Sequence, residues 1–183
     1  SQYGISKMGE HFIAGILKHL PALMAVTTPI PNSYRRIMPH SWTGAYQCWG
    51  LDNREVAIRV IREPDRKIEN FELKTVDASS NPYIALGVVM AAGIAGIKEE
   101  MTLGNPVQED PAYLAEDQLE KHKINKLPSN LSEAIAEFKD DKIIQDAMGE
   151  KLSKAYIAVK KADLKELSEL TLEDEVDLLI ETY

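Results

Sequence analysis

Apolar positions near the start of the chain recur every three or four residues, which predicts a helix over residues 7–26. Pro21 lies inside this pattern and is expected to kink or divide the helix, because proline lacks the N–H that a helical hydrogen bond needs. Residues 27–50 have no helical period, and the closely spaced prolines of TTPIPNSY indicate a fixed loop.

A two-residue alternation follows and predicts two strands. Residues 54–61 alternate so that Arg59 shares a face with Glu55, opposite the β-branched residues. Residues 62–70 are polar and contain a proline, which predicts a turn. A second strand over 71–76 places Glu72 and Lys74 on one face.

The rest of the pattern is helical. Small and apolar residues dominate 83–99 and predict a buried helix, whose apolar run over 84–97 is shorter than the ~20 residues of a membrane span. Its glycines, Gly87, Gly93 and Gly96, would weaken an exposed helix, so they indicate close packing. Residues 141–167 predict the last long helix.

Two caps mark helices in the second half of the chain. Ser129 or Asn130 is expected to cap a helix with an apolar stripe. Thr171 is expected to cap the final helix through a Thr-x-x-Asp pattern. The acidic residues of that helix are predicted to form a solvated face; they are Glu173, Asp174 and Glu175.

Composition narrows the class of protein. The 183 residues suffice for one domain, and the net charge of -8 disfavours binding to nucleic acids or anionic membranes. Cys48 is the single cysteine and cannot form a disulfide framework, so we expect a reducing, cytoplasmic compartment. No signal peptide pattern is present at the N-terminus, and the missing initial Met suggests part of a longer product.

The arginines of this acidic chain concentrate in residues 29–59, as Arg35, Arg36, Arg54 and Arg59. Planar guanidinium groups on adjacent strands and loops can bind carboxylate or phosphate. A carboxylate beside them, Glu72, can hold a divalent metal. Pairing of these arginines with surface acids remains an alternative.

Five ordered segments carry a family resemblance. They are HFIAGILKH (11–19), PIPNSYRR (29–36), WGLDNREVAIR (49–59), FELKTVDASSNPYIAL (71–86) and AAGIAGI (91–97). In this order they resemble glutamine synthetase, in the second half of its catalytic domain. The resemblance implies an α+β fold with antiparallel strands and packed helices, and residues 1–183 as the C-terminal part of that domain.

The resemblance also implies a chemistry. In that family ATP phosphorylates the γ-carboxylate of glutamate, and ammonia displaces the phosphate, with Mg²⁺ or Mn²⁺ as the metal. Arg36 matches an arginine that binds the glutamate carboxylate, and Lys74 stands where a second such arginine is usual. Arg54 and Arg59 match arginines on the transferred phosphate and the nucleotide phosphates. Lys67 matches a lysine near the adenine, and Glu72 matches a glutamate that binds the metal.

Three residues depart from the family pattern. Trp42 replaces a loop glutamate that helps to deprotonate ammonium, and an indole cannot accept that proton. Lys74 offers a point charge where a forked arginine is usual, and Asn70 replaces an arginine near the nucleotide. Trp42 as a simple packing residue remains an alternative.

The expected function is therefore that of an ATP-dependent ligase that joins glutamate to ammonia or another amine. We expect the parent enzyme to be a homo-oligomer, and the 183 residues alone to be inactive. A non-catalytic scaffold or regulatory protein of the same fold is the first alternative, and a generic anion-binding module is the second.

Overall fold

The computed structural model describes residues 3–63 and 68–182. Within these two ranges the chain forms eight helices, three strands and a short 3₁₀ turn at Pro111–Tyr113. The helices are α1 (Lys7–Thr27), α2 (Ser33–Arg36), α3 (Pro82–Lys98), α4 (Glu116–His122), α5 (Leu131–Asp140), α6 (Lys142–Met148), α7 (Glu150–Leu167) and α8 (Leu172–Thr182). The strands are β1 (Trp49–Leu51), β2 (Ile58–Arg62) and β3 (Ile68–Leu73). The fold is α+β, as predicted.

The described strands form one sheet in the order β1–β2–β3. β2 and β3 are antiparallel, as predicted, and their register places Arg59 opposite Glu72. β1 runs parallel to β2, so the prediction of antiparallel strands holds for one pair and is wrong for the other. Because β1 is three residues long and contains Gly50, its sequence carries no recognisable alternation.

The bounds of the predicted strands also need correction. Residues 54–57 form no strand, because the side chain of Asn53 accepts the N–H of Glu55 (2.9 Å) and holds a turn there. β3 begins at Ile68, inside the predicted turn, where its apolar side chain packs against the core. β3 ends at Leu73, so Lys74 follows the strand instead of lying within it.

Helix α1 runs through Pro21 without division, so of the two predicted outcomes, a kink or a division, the division is wrong. A helical proline leaves the carbonyl four residues earlier without its N–H partner, and here that carbonyl belongs to Leu17. The side chain of Gln47 donates to this oxygen from Nε2 at 2.8 Å. A long-range hydrogen bond therefore replaces the one that proline removes.

Helices α1 and α3 approach each other at a pair of glycines. A Cβ on Gly15 would lie 2.7 Å from the Cα of Gly96, and a Cβ on Gly96 would lie 2.6 Å from the Cα of Gly15. Gly93 faces the ring of Phe12, which fills the space of a side chain. Close packing is thus confirmed for Gly93 and Gly96, but Gly87 is exposed with open space beside it.

The outer side of α3 is not buried, which corrects the prediction of a helix buried all round. Its exposed apolar side chains follow helical spacing; they are Tyr83, Leu86, Met90 and Ile94. The inner side supplies Ala85, Val88 and Ala92 to the core. None of the helices in the described ranges is both long and apolar enough to span a bilayer.

The predicted helix over 141–167 is two helices, α6 and α7, separated by Gly149. Gly149 has φ +76°, a left-handed conformation that favours glycine and ends α6. Asp141 caps α6 through the N–H of Ile144 and also contacts Nδ1 of His19 on α1 at 2.5 Å. Asn130, one of the two predicted capping residues, caps α5.

Helix α8 is fixed at its start and along its inner face. The hydroxyl of Thr171 accepts the N–H of Asp174 at 3.2 Å, which confirms the predicted cap. Glu173 and Asp174 are exposed, but Glu175 is 2% exposed, so the prediction of a solvated acidic face is wrong for this residue. Its burial is supported by Arg35, whose Nη2 lies 3.2 Å from Oε2 of Glu175.

Substitution of Gly96 by alanine is expected to lower the free energy of unfolding by about 1–3 kcal/mol, because the new methyl group meets backbone atoms of α1. Gly87→Ala is the matched control on the same helix, and there alanine is expected to stabilise by about 0.5–1 kcal/mol. Urea unfolding of the two variants measures both values. Equal stability of the two variants would contradict the close approach of α1 and α3.

Candidate functional site

Four cationic side chains lie in one connected group beside the β2–β3 pair. We call Arg36, Arg54, Arg59 and Lys74 the cation cluster. Arg36 is at the end of α2, and its guanidinium donates to the carbonyls of Lys74 (3.3 Å) and Val76 (3.5 Å). These bonds tie α2 to the segment that leaves β3.

Glu72 lies between two members of the cation cluster. Its Oε1 is 3.0 Å from Nε of Arg59, directly across the strand pair, and 4.0 Å from Nζ of Lys74. Nε of Arg59 is buried and its N–H is not aligned on a hydrogen-bond acceptor among the described residues. Arg59 and Glu72 therefore lie on the same face of the sheet, as a close ion pair.

Lys74 is the buried member of the cation cluster. Its Nζ donates to the carbonyl of Arg54 at 2.6 Å, and its side chain is 12% exposed. Burial lowers the pKa of Lys74 below its usual value; the carboxylate of Glu72 opposes this shift, and the positive charge of Arg59 adds to it. The ammonium group is thus held in place by the backbone beside the predicted phosphate-binding arginines.

Arg54 and Trp42 meet at the exposed edge of the cluster. The guanidinium carbon of Arg54 lies 5.6 Å from the centroid of the indole, within the range of a cation–π contact. The backbone N–H of Trp42 donates to Oε2 of Glu55 at 3.3 Å. Trp42 is 63% exposed, so its ring covers an arginine instead of filling the core.

The loop of residues 37–44 is held by its own side chains. Ser41 and Thr43 contact each other through their hydroxyl groups at 2.6 Å, and Ser41 also donates to the carbonyl of Met38. Gly44 has φ +76°, and a Cβ there would lie 2.6 Å from the Cα of Ala57. The loop therefore returns close to the backbone at the start of β2.

Two residues of this loop have a left-handed backbone without being glycine. His40 and Trp42 both have φ 59°. Each such residue costs roughly 1–2 kcal/mol relative to the usual backbone regions. Strain of this kind is concentrated at functional sites in proteins, and here it lies beside the cation cluster.

Some predicted site residues are not brought to the cluster. Lys67 lies outside the described residues, so its predicted role near the adenine stays a prediction. Asn70 is an exposed residue of β3, paired with Ile61. Arg62 pairs with Asp52, with Nε and Oδ2 2.6 Å apart, and contributes no free charge to the group.

The described residues do not form a metal site by themselves. Across residues 3–63 and 68–182, no group of three His, Cys, Asp or Glu side chains could hold a metal ion. Glu72 offers a carboxylate, but Arg59 and Lys74 already face it. A divalent ion at Glu72 would need ligands beyond those that the described chain supplies.

Two pairs near the site were not foreseen from the sequence. His40 contacts Asp110 at 2.6 Å, across 70 residues of chain, and Arg35 contacts the buried Glu175. The partners in each pair are separated by 70 residues or more, so the pattern around either residue does not indicate the other.

Comparison with known proteins identifies the fold. A family profile described as "Glutamine synthetase, catalytic domain" matches residues 1–179. The chain belongs to the glutamine synthetase family. A solved structure of a glutamine synthase homologue is 32% identical, with a TM-score of 0.72 over 93% of this chain and 37% of its own. A GmaS–ADP complex superposes with a TM-score of 0.78 over 99% of this chain and 41% of its own; at 24% identity it supports the fold alone.

The curated relatives are considerably longer than this chain. A gamma-glutamylpolyamine synthetase of Streptomyces coelicolor, GlnA3, is 38% identical over 86% of this chain and 34% of its own length. Type-1 glutamine synthetase 1 of Dictyostelium discoideum is 36% identical over 98% of this chain and 35% of its own length. The chain therefore spans about a third of the length of these relatives.

The 183-residue chain alone is expected to release no phosphate from ATP in the presence of magnesium, glutamate and ammonium. A single carboxylate faced by two cations cannot bind the metal ions that phosphoryl transfer from ATP requires. A phosphate-release assay measures the rate, with Glu72→Ala as the control that removes the carboxylate. Turnover above this control would contradict the expectation.

Proposed function

We propose that residues 1–183 are the C-terminal part of the catalytic domain of an ATP-dependent ligase. The parent enzyme forms γ-glutamyl amides from glutamate and ammonia, or another amine, through a γ-glutamyl phosphate. The observation that carries this proposal is the cation cluster in a chain of net charge -8: Arg59 and Lys74 face Glu72, and hydrogen bonds to backbone carbonyls link Lys74 to Arg36 and Arg54. Membership of the glutamine synthetase family supports it.

Each member of the cluster has a proposed role. Arg36 and Lys74 bind the glutamate substrate, because both are fixed at the segment that follows β3. Arg54 and Arg59 face the phosphates of ATP, where positive charge favours transfer of the phosphoryl group. Lys67 is assigned to ATP binding by family resemblance alone.

ATP supplies the phosphoryl group, and Mg²⁺ or Mn²⁺ neutralises its charge when bound. Glu72 is the proposed contribution of this chain to the metal, together with ligands from the rest of the parent. The role of the cluster is electrostatic. Guanidinium and ammonium groups held at fixed positions stabilise the negative charge that spreads over the phosphoryl oxygens as it moves.

Trp42 supports an amine larger than ammonia as the second substrate. An exposed indole attracts a protonated alkyl amine by a cation–π interaction of about 1 kcal/mol. Burial of the methylene groups of the amine against the ring adds to this attraction. Arg54 occupies one side of the ring, and the exposure of the side chain leaves indole surface for a ligand. The similarity to a gamma-glutamylpolyamine synthetase is consistent with this choice.

A cytoplasmic homo-oligomer completes the proposal for the parent enzyme. The main alternative is a scaffold that keeps the fold without turnover. It is favoured by the position of Lys74, whose Nζ binds the carbonyl of Arg54 where the family has a substrate-binding arginine. Nucleotide binding by the parent without ADP formation would support this alternative.

Substitution of Arg59 by alanine in the parent is expected to lower kcat/KM for γ-glutamyl amide formation at least 100-fold, because charge on the transferring phosphoryl group is lost. Arg62→Ala is the matched control: it lies on the same strand, paired with Asp52 outside the cation cluster, and is expected to stay within about threefold of the wild type. ADP release coupled to NADH oxidation measures both rates. Equal losses in the two variants would overturn the assigned role of Arg59.

Substitution of Trp42 by glutamate is expected to shift the amine preference of the parent towards ammonia by about fivefold to tenfold. The change removes cation–π attraction of about 1 kcal/mol and adds a carboxylate that can accept a proton from ammonium. Competition between ammonium and a polyamine, with both products quantified by mass spectrometry, gives the ratio. A wild type that already prefers ammonia, with an unchanged ratio in the variant, would exclude this role of Trp42.

A further inference from the structure

His40 and Asp110 form a fixed pair that has no assigned role in the proposed function. Nδ1 of His40 lies 2.6 Å from Oδ2 of Asp110, whose side chain is 12% exposed. The other oxygen, Oδ1, accepts the N–H of Ala112 at 2.9 Å, so the carboxylate is anchored to the 3₁₀ turn. The imidazole also lies against the ring of Tyr113, with centroids 4.8 Å apart.

The geometry of the pair determines which ring nitrogen is available. A carboxylate can only accept a hydrogen bond, so the proton of the short contact is on Nδ1. In the neutral imidazole this leaves a lone pair on Nε2. The side chain of His40 is 51% exposed, and no described residue hydrogen-bonds to Nε2.

The loop brings this histidine to the border of the cation cluster. Immediately after His40, the hydroxyl of Ser41 lies 3.4 Å from the carbonyl oxygen of Arg36. The next residue, Trp42, covers the guanidinium of Arg54. The chain segment that carries His40 therefore contacts the backbone of Arg36 and the guanidinium of Arg54.

Amide formation from an amine requires a base. Alkyl amines are protonated at neutral pH, and a protonated amine has no lone pair with which to attack a carbonyl carbon. Trp42 cannot accept this proton. In the loop segment PHSWTG, residues 39–44, His40 is the side chain whose ring nitrogen can accept a proton from an ammonium group.

We propose that His40, oriented by Asp110, is the general base that deprotonates the amine substrate; this inference rests on the proposed ligase function. The ammonium group gives a proton to Nε2, which forms imidazolium and the free amine. The amine nitrogen then bonds to the γ-carbonyl carbon while the bond from that carbon to the phosphate oxygen breaks. Phosphate leaves with that electron pair and takes the second proton of the nitrogen, and the imidazolium returns its proton to water.

The charged and titratable groups around the pair agree with this role. Tyr46 and Cys48 lie near Asp110; burial raises the pKa of each, the charge of Asp110 adds to this, and both are neutral at pH 7. Tyr113 contacts the imidazole by its ring. Asp110 is thus the charge that acts directly on His40, and a carboxylate in that position stabilises the imidazolium.

The pair could instead serve only to hold the loop, and the choice of nucleophile separates the two roles. Hydroxylamine is largely unprotonated at neutral pH and needs no base, whereas an alkyl diamine does. In the parent enzyme, His40→Gln is expected to lower kcat/KM for the diamine by about 100-fold or more. The loss with hydroxylamine is expected to be at least tenfold smaller. His122→Gln, an exposed histidine on α4, is the control and is expected to lower neither rate more than twofold.

A second variant tests the orientation by Asp110. Asp110→Asn keeps an oxygen for the N–H of Ala112 but removes the negative charge beside the imidazole. The amide NH₂ of asparagine can donate to Nδ1, which moves the imidazole proton to Nε2 and leaves no lone pair there for the amine. The loss of kcat/KM is then expected to be at least tenfold larger with the diamine than with hydroxylamine, whereas a purely structural role would lower both rates equally.

The outcomes separate this inference from the proposed function. Equal losses with hydroxylamine and diamine, in His40→Gln or in Asp110→Asn, would overturn the general-base role while leaving the ligase intact. Absence of ATP-dependent γ-glutamyl hydroxamate formation by the wild-type parent would overturn the ligase function itself, and the inference with it.

Discussion

Repulsion among like charges is the constraint around which the site is built. Arg59 and Lys74 face Glu72, and Lys74 is linked to Arg36 and Arg54 by hydrogen bonds to backbone carbonyls. The charges of Arg59 and Arg54 oppose that of Lys74, while those of Glu72 and Glu55 favour it. Burial lowers the pKa of Lys74, as expected for a cation that is incompletely compensated. An anion bound there relieves the repulsion, because Coulomb attraction at these distances is several-fold stronger than in bulk water. The cluster therefore favours a phosphorylated or carboxylated ligand over a neutral one.

The fold holds the cation cluster in place through contacts between residues that are far apart in the sequence. The register of β2 and β3 sets Arg59 against Glu72, and the turn after β3 is tied to α2 by the guanidinium of Arg36. Beneath the sheet, the glycine contact between α1 and α3 brings two helix backbones close together. Since packed interiors resist small displacements, these elements keep the cations in place despite their repulsion.

The sequence pattern predicted those helices and strands that depend on neighbouring residues alone. The helical period predicted α1 and α3, and the two-residue alternation predicted the strands that carry Arg59 and Glu72. The errors arose where a distant residue decided the outcome. Gln47 completes the helix at Pro21, and Arg35 makes burial of Glu175 tolerable. The pair of His40 and Asp110 spans 70 residues, so no periodicity within either segment could indicate it.

The central claim is that the cation cluster serves transfer of a phosphoryl group to the γ-carboxylate of glutamate. The most direct measurement uses glutamate labelled with ¹⁸O in that carboxylate, together with ATP, magnesium, an amine and the parent enzyme. An acyl phosphate intermediate predicts that the released phosphate carries one ¹⁸O atom. The labelled carboxylate oxygen bridges carbon and phosphorus in this intermediate, and it leaves with the phosphate when the amine attacks. Amide formation with unlabelled phosphate would contradict the account.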